Sequence, residues 1–333
     1  MIHPIPPGTR DVLPDEMREL RKLQESLLSV FEDFDFGEVR TPTIEYADVV
    51  SRGDEGSAGD AYRFFDDRGE LLALRTDMTI PIARLVATRF GEVPPPWRVS
   101  YVANSYRAVT PQRARLREFG QAGVELIGVD GPDCIAEVVE ILARSLDAVG
   151  LADAVICLGD AGLWAALVRD MGGSEATVKS SSHKLAEHDV VGLGAELKGS
   201  GEFENEKVES LLEVVQLRGG LDLISSARGR GGELFEEVLN RMQATSEAID
   251  ARSVGGQVQV DLGMLRELGY YTGSILEVYD PSVGEAIGGG GRYDGLMERF
   301  GVDQPAAGFS LYLEPIHKAQ LEQGRNRAGG DDA

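Results

Sequence analysis

Between Arg115 and Leu126 polar and apolar residues alternate, and this alternation constrains the fold more than any other stretch. Successive side chains of a strand point to opposite faces, so Arg115, Arg117, Phe119, Gln121, Gly123 and Glu125 share one face while Ala122, Val124 and Leu126 share the other. Such a strand belongs in a sheet covered by helices on one side and open to a ligand on the other. A covering helix follows at once: Ile135, Val138, Val139, Leu142, Leu146 and Val149 recur at three-and-four spacing, with Gly150 as a C-terminal stop. A second amphipathic helix is written in Met17, Leu20, Leu23, Leu27, Val30, Phe31 and Phe34, with Pro14 in its first turn and Gly37 after its end.

Around these elements the spacing predicts a short strand at Val39-Arg40-Thr41-Pro42, with Pro42 at an edge and plausible at an interface. A hairpin is expected from Arg63-Phe64-Phe65 and Leu71 to Leu74 across the turn Asp66-Asp67-Arg68-Gly69, then a helix from Ile80 to Phe90. Residues 101–129 read as two long strands joined by a loop that contains Thr110-Pro111-Gln112. Strand signals fade over 161–252, where the chain turns helical and acidic with interruptions such as Gly199-Ser200-Gly201 and Gly229-Arg230-Gly231. They return at Val258-Gln259-Val260, Ser274 to Tyr279 and Glu285-Ala286-Ile287, and a last helix is expected over Ile316 to Leu321. The organisation is α+β: an antiparallel sheet flanked by helices over 1–160, a helical insertion over 161–252, a return to the sheet over 253–322, and a disordered polar tail over 323–333.

Charge removes several function classes. Aspartate and glutamate number 56 against 33 lysines and arginines, a net charge of -23, so the surface repels polyphosphate and generic nucleic-acid binding is not expected. No apolar run is long enough to span a bilayer, and Met1-Ile2-His3-Pro4 does not open a signal peptide, which points to no membrane role and a cytoplasmic location. Cys134 and Cys157 stand apart from each other and from histidines, as two reduced thiols with no disulfide framework or zinc site. His3, His183, His188 and His317 lie outside the polar clusters, so no metal and no histidine acid-base chemistry is expected.

Three polar constellations remain. In Arg75-Thr76-Asp77-Met78-Thr79 a carboxylate beside a hydroxyl at a helix start can hold an ammonium group or serve as an N-terminal cap. Arg98, Arg107, Arg113, Arg115 and Arg117 form a basic stretch in an acidic chain, suited to a carboxylate or phosphate, or to ion pairs with the surplus acids. Gln121 and Glu125 on the same strand suit a small zwitterion. The third joins Arg266-Glu267-Leu268-Gly269-Tyr270-Tyr271-Thr272-Gly273 to Gly288-Gly289-Gly290-Gly291-Arg292-Tyr293-Asp294, where glycines allow close backbone approach and paired tyrosines can line a pocket. Neither a P-loop nor a dinucleotide fingerprint is present: the glycine run lacks Gly-Lys-Ser/Thr, and Gly192-Leu193-Gly194 lacks its third glycine, so no cofactor is expected.

Read together, these segments resemble the class II aminoacyl-tRNA synthetases, and within them the histidyl branch. The resemblance is carried in order by Gly8-Thr9-Arg10-Asp11-Val12-Leu13-Pro14, Arg40-Thr41-Pro42, Leu74-Arg75-Thr76-Asp77-Met78-Thr79, Tyr106-Arg107, Pro111-Gln112, Arg115 to Gln121, Arg266 to Tyr271 and Gly290 to Leu296. Two departures stand out. Val109 occupies the place of the second motif's glutamate, and Pro315 follows Glu314 where the third motif carries an arginine for the ATP phosphates. Losing a cation that faces developing phosphate charge removes much of the rate, so no catalytic residue is assigned. The chain also ends soon after the third motif, and no anticodon-binding domain is expected. The versions Asp77-Met78-Thr79 and Gln121 to Gly128 are similar to those of the regulatory subunits of ATP phosphoribosyltransferase.

That resemblance implies a non-catalytic subunit that activates a short catalytic partner in the first step of histidine biosynthesis and confers feedback inhibition by L-histidine. It implies a hetero-oligomer, a hetero-octamer with that partner, and self-association as a dimer through the synthetase-like core. The implied histidine-binding positions are Asp77, Thr79, Arg107, Gln121, Glu125, Arg266, Tyr270 and Tyr271. Asp77 and Glu125 would meet the charged nitrogens and Arg266 the carboxylate, with Arg107 also available to an anion. The alternative is a truncated synthetase-like ligase that activates an amino acid with ATP for an acceptor other than tRNA.

Overall fold

The computed structural model describes residues 5–53, 59–108, 116–265 and 269–330. Among these, nine strands form one sheet in the order Gly37–Glu38, Trp97–Tyr106, Glu118–Ile127, Ala306–Tyr312, Ala286–Arg292, Ser274–Tyr279, Val155–Asp160, Val258–Asp261 and Arg218–Gly219. Its centre is antiparallel, with the pair Trp97–Tyr106 and Glu118–Ile127 in register along ten residues. The loop expected between them contains Thr110-Pro111-Gln112, which, with Arg113 and Arg115, lies outside the described residues.

One face of the sheet is dry. Ala122, Val124 and Leu126 sit there with Leu276 and Val278, under the helices Pro14–Asp33, Pro132–Ala148 and Leu313–Gly330. Phe31 meets Phe309 edge-on at 5.9 Å. The helix Pro132–Ala148 ends as its sequence dictates, with Gly150 at φ 77°, a left-handed position that glycine takes at little steric cost. Cys134 is buried against this core and Cys157 is partly buried; neither is in a disulfide. Burial pushes their thiols up, to about 12 and about 11, which makes both poor nucleophiles.

The segment over 161–252 is helical, from Leu163–Asp170 through Glu233–Ala251, apart from Arg218–Gly219, which the spacing did not predict and which pairs with Val258–Asp261 at the sheet edge; its Leu167, Leu193, Leu211 and Phe235 build a second core. Ser174 and Asp189 cap two of its helices by accepting the backbone N–H of Thr177 and Gly192. Its junction with the sheet is pinned by Arg241, which donates to both oxygens of Asp160 at 3.1 and 2.9 Å.

Some boundaries differ from the spacing. The strand expected at Val39–Pro42 is instead Gly37–Glu38, because after Val39 donates to the Ser100 carbonyl the carbonyls of Thr41 and Pro42 turn to the Arg75 guanidinium. Ile44–Tyr46 then pairs with Leu71–Leu74, which completes the expected Arg63–Phe65 hairpin into a separate three-stranded sheet. The last helix is longer than Ile316 to Leu321 and runs to Gly330, into the segment expected to be a disordered tail. Side chains tie it down: Gln320 donates to the Val149 carbonyl and Gln323 to Asp280.

Candidate functional site

The other face of the sheet carries a narrow cleft of about 30 Å³. Its floor is glycine. A Cβ on Gly308 would lie 2.0 Å from Glu125 Oε2, one on Gly290 2.2 Å from the Gly308 carbonyl, and one on Gly123 2.1 Å from the Phe309 carbonyl. The glycine run therefore lowers the floor so that buried side chains from neighbouring strands can converge above it.

Asp77 and Thr79 come from the segment that leaves the small sheet and enters the helix Thr79–Arg89. Asp77 performs the capping role, accepting the Ile80 N–H at 3.0 Å, and it also lines the cleft. Arg75 from the same segment does not face the cleft. Buried, it donates to the carbonyls of Asn104 at 2.7 Å and Thr41 at 3.0 Å, and desolvation lowers its pKa.

Gln121 and Glu125 follow the alternation of their strand. Gln121 accepts from Ser105 at 2.5 Å and donates to Ser310 at 2.8 Å, across the register pair Gly123 and Ser310. Glu125 is 2% exposed. Thr79 donates to its Oε1 at 2.9 Å, and Tyr293 donates to its Oε2. No arginine or lysine reaches it among the described residues. Desolvation therefore outweighs the two hydroxyl donors and raises its pKa to about 8, so the unliganded carboxyl is mostly protonated at neutral pH. The same buried acid raises the pKa values of Tyr101 and Tyr293, each already pushed up by desolvation.

Tyr270 and Tyr271 form one wall, tilted together with ring centroids 5.0 Å apart, and Tyr293 meets Tyr270 edge-on at 6.0 Å. Arg299 holds the approach to this wall by donating to the Gly269 carbonyl at 3.2 Å. Arg107 lies at the cleft with its guanidinium 5.0 Å from the centre of the Phe119 ring. The arginine cluster is otherwise dispersed. Arg98 projects to the helix side, stacks on Phe36 and pairs with Glu137, while Arg113 and Arg115 lie outside the described residues. Arg266 and Glu267 also lie outside them. Seven of the eight singled-out residues thus line one cleft: Asp77, Thr79, Arg107, Gln121, Glu125, Tyr270 and Tyr271.

Spacing gave no sign of Tyr101 or Ser310, which share a hydrogen bond in the cleft, nor of the part played by Tyr293. Strand parity could have placed Tyr101, two residues from Val99 on the same face, and likewise Ser310, which alternates with the core residues Phe309 and Leu311. At the edge of the site, where the third motif would carry an arginine after Glu314, the carboxylate of Glu314 accepts the Gly120 N–H at 2.9 Å and Pro315 follows. Burial raises the pKa of Glu314. The geometry offers two acids, several hydroxyls and one cation to a small polar molecule; among the described residues no group of histidine, cysteine and acid side chains could hold a metal ion.

Comparison with known proteins fits this geometry. The histidyl-tRNA synthetase family model matches residues 8–316. The chain is 38% identical to an ATP phosphoribosyltransferase regulatory subunit of Desulforamulus reducens over 93% of its own length and 77% of that protein. It is 37% identical to a histidine–tRNA ligase of Thermococcus kodakarensis over 93% of this chain and 72% of that one. Among solved structures, an ATP phosphoribosyltransferase regulatory subunit/histidyl-tRNA synthetase from Bacillus halodurans superposes with TM-score 0.88 at 30% identity, covering 96% of this chain and 83% of that one. The fold is that of the class II aminoacyl-tRNA synthetases, and the chain belongs to the histidyl-tRNA synthetase family.

Proposed function

We propose that this protein is a non-catalytic regulatory subunit of ATP phosphoribosyltransferase, acting in histidine biosynthesis. The observation that carries the reading is its likeness to proteins of that name: relatives from Desulforamulus reducens, Moorella thermoacetica and Symbiobacterium thermophilum are 37–38% identical over 93–96% of the chain. The site supports it from the chemical side, since Glu314-Pro315 leaves no arginine at the position that would face ATP phosphates.

In this reading L-histidine is the effector and the cleft is its site. Asp77 and Glu125 take the nitrogens, Gln121 and Thr79 add neutral hydrogen bonds, Tyr270 and Tyr271 flank the ring, and Arg266 or Arg107 takes the carboxylate. An effector regulates only through different affinities for two states, so histidine must bind the inhibited assembly more tightly than the active one. The catalytic partner is the short-form transferase, in a hetero-octamer, and the protein works in the cytoplasm. No helix among the described residues is long and apolar enough to cross a membrane. Self-association as a dimer would cover the small sheet, where Ile44, Tyr46 and Phe64 stand exposed close to Pro42.

The test is the rate of ATP condensation with phosphoribosyl pyrophosphate by a short catalytic subunit from the same organism. Adding this chain is expected to raise the rate, and adding histidine to lower it again. An unchanged rate would refute the reading. The ligase relative from Thermococcus kodakarensis keeps a second reading in view, and histidine-dependent exchange between pyrophosphate and ATP would support it.

A further inference from the structure

We propose that Tyr293 is the positioning residue of the cleft: it fixes the Glu125 carboxyl in the single orientation that receives a ligand nitrogen, without contacting the ligand through its own hydroxyl. This rests on the reading of the cleft as a histidine site, and it adds a residue to which that reading gave no role.

Three contacts immobilise the carboxyl. Thr79 holds one oxygen at 2.9 Å, Tyr293 holds the other, and the backbone of Gly308 lies so close behind that a Cβ there would sit 2.0 Å from Oε2. With one flank taken by each hydroxyl and the back closed by the neighbouring strand, the carboxyl can meet a newcomer only from the cleft. A phenol has a single proton to donate, and against the ionised Glu125 that a ligand cation calls for, Tyr293 spends it on the carboxylate.

Tyr293 is itself rigid. Buried to 2% exposure, it is set between the glycine strand Ala286–Arg292 and the helix Asp294–Arg299. Its backbone N–H donates to the Ala306 carbonyl at 2.8 Å, and Asp294 accepts the Ala306 N–H at 3.0 Å. Its ring meets Tyr270 edge-on, so the wall that flanks the ligand also locks the residue that aims the acid. Thr79, by contrast, is only partly buried and opens a helix, so the fixed reference of the pair is the tyrosine.

The experiment compares the full chain with Tyr293→Phe, and with 3-fluorotyrosine at position 293 as a stronger donor of the same shape. Glu125 is titrated by carbon-13 NMR of its carboxyl in ligand-free protein, and histidine affinity is measured by calorimetry. The phenylalanine variant is expected to move the Glu125 midpoint to higher pH and to weaken histidine binding about tenfold, as for loss of one hydrogen bond to a charged acceptor. Fluorotyrosine is expected to move the midpoint lower, a result a merely space-filling ring would not give. Midpoints unchanged in both variants would overturn the proposal, whether or not histidine binds. A wild-type chain that binds no histidine while the midpoints shift as stated would refute the ligand and leave the positioning role standing.

Discussion

Glu125 in the cleft and Asp160 at the junction with the helical insertion are buried to the same degree, each 2% exposed, yet they are satisfied in opposite ways. Asp160 has a bidentate arginine and the Gly162 N–H at 2.9 Å. Glu125 has two neutral hydroxyls. A buried acid with an internal cation is finished, and it serves as a joint. A buried acid given only hydroxyls keeps a vacancy for positive charge and holds a proton until one arrives, which is what a binding site requires.

The largest expected effect tests that proton. The folded chain keeps it on Glu125 up to about pH 8, whereas the unfolded chain loses it near 4.5. Folding therefore binds a proton across this window, and stability falls as the pH rises through it, by on the order of 4 kcal/mol relative to a variant without the titration. Urea denaturation of wild type and Glu125→Gln from pH 4 to 9 reads the difference. Parallel curves would erase the contrast between the two acids.

Removing the cation from the other acid comes next. Arg241→Ala strands Asp160, and because the arginine side chain is 47% exposed the loss is expected at the low end for buried pairs, about 2–3 kcal/mol by denaturant midpoint. The Asp160→Asn, Arg241→Ala double variant should recover part of it. Smallest is Thr79→Val, about 1 kcal/mol, accompanied by a higher Glu125 midpoint because one donor to the charged form is gone. A lower midpoint would show that the hydroxyl acts on the neutral acid instead.

How much of this was legible depended on whether a single strand held the information. Gln121 and Glu125 could be paired from the sequence because a period of two needs no partner. Arg98 could not be separated from Arg107 by proximity in a basic stretch, although the two lie on strand and strand end with different surroundings: one pairs with Glu137, the other stacks on Phe119. The strand Val155–Asp160 gave no alternation, since it is largely buried, while in Ala306–Tyr312 the alternation of Gly308, Ser310 and Tyr312 with Phe309 and Leu311 does not by itself mark Ser310 as the partner of Tyr101. Tyr101, Ser310 and Tyr293 meet only through sheet order, which is a long-range property. Arg266 lies outside the described residues.

The crowding at Gly123, Gly290 and Gly308 has a genetic consequence. In a saturation mutagenesis experiment these three positions should reject even alanine, while Gly37 and Gly91, with nothing near a would-be Cβ, should accept it. Laid over the cleft, the forbidden methyl groups at these three positions would mark its floor, drawn by side chains the protein must do without.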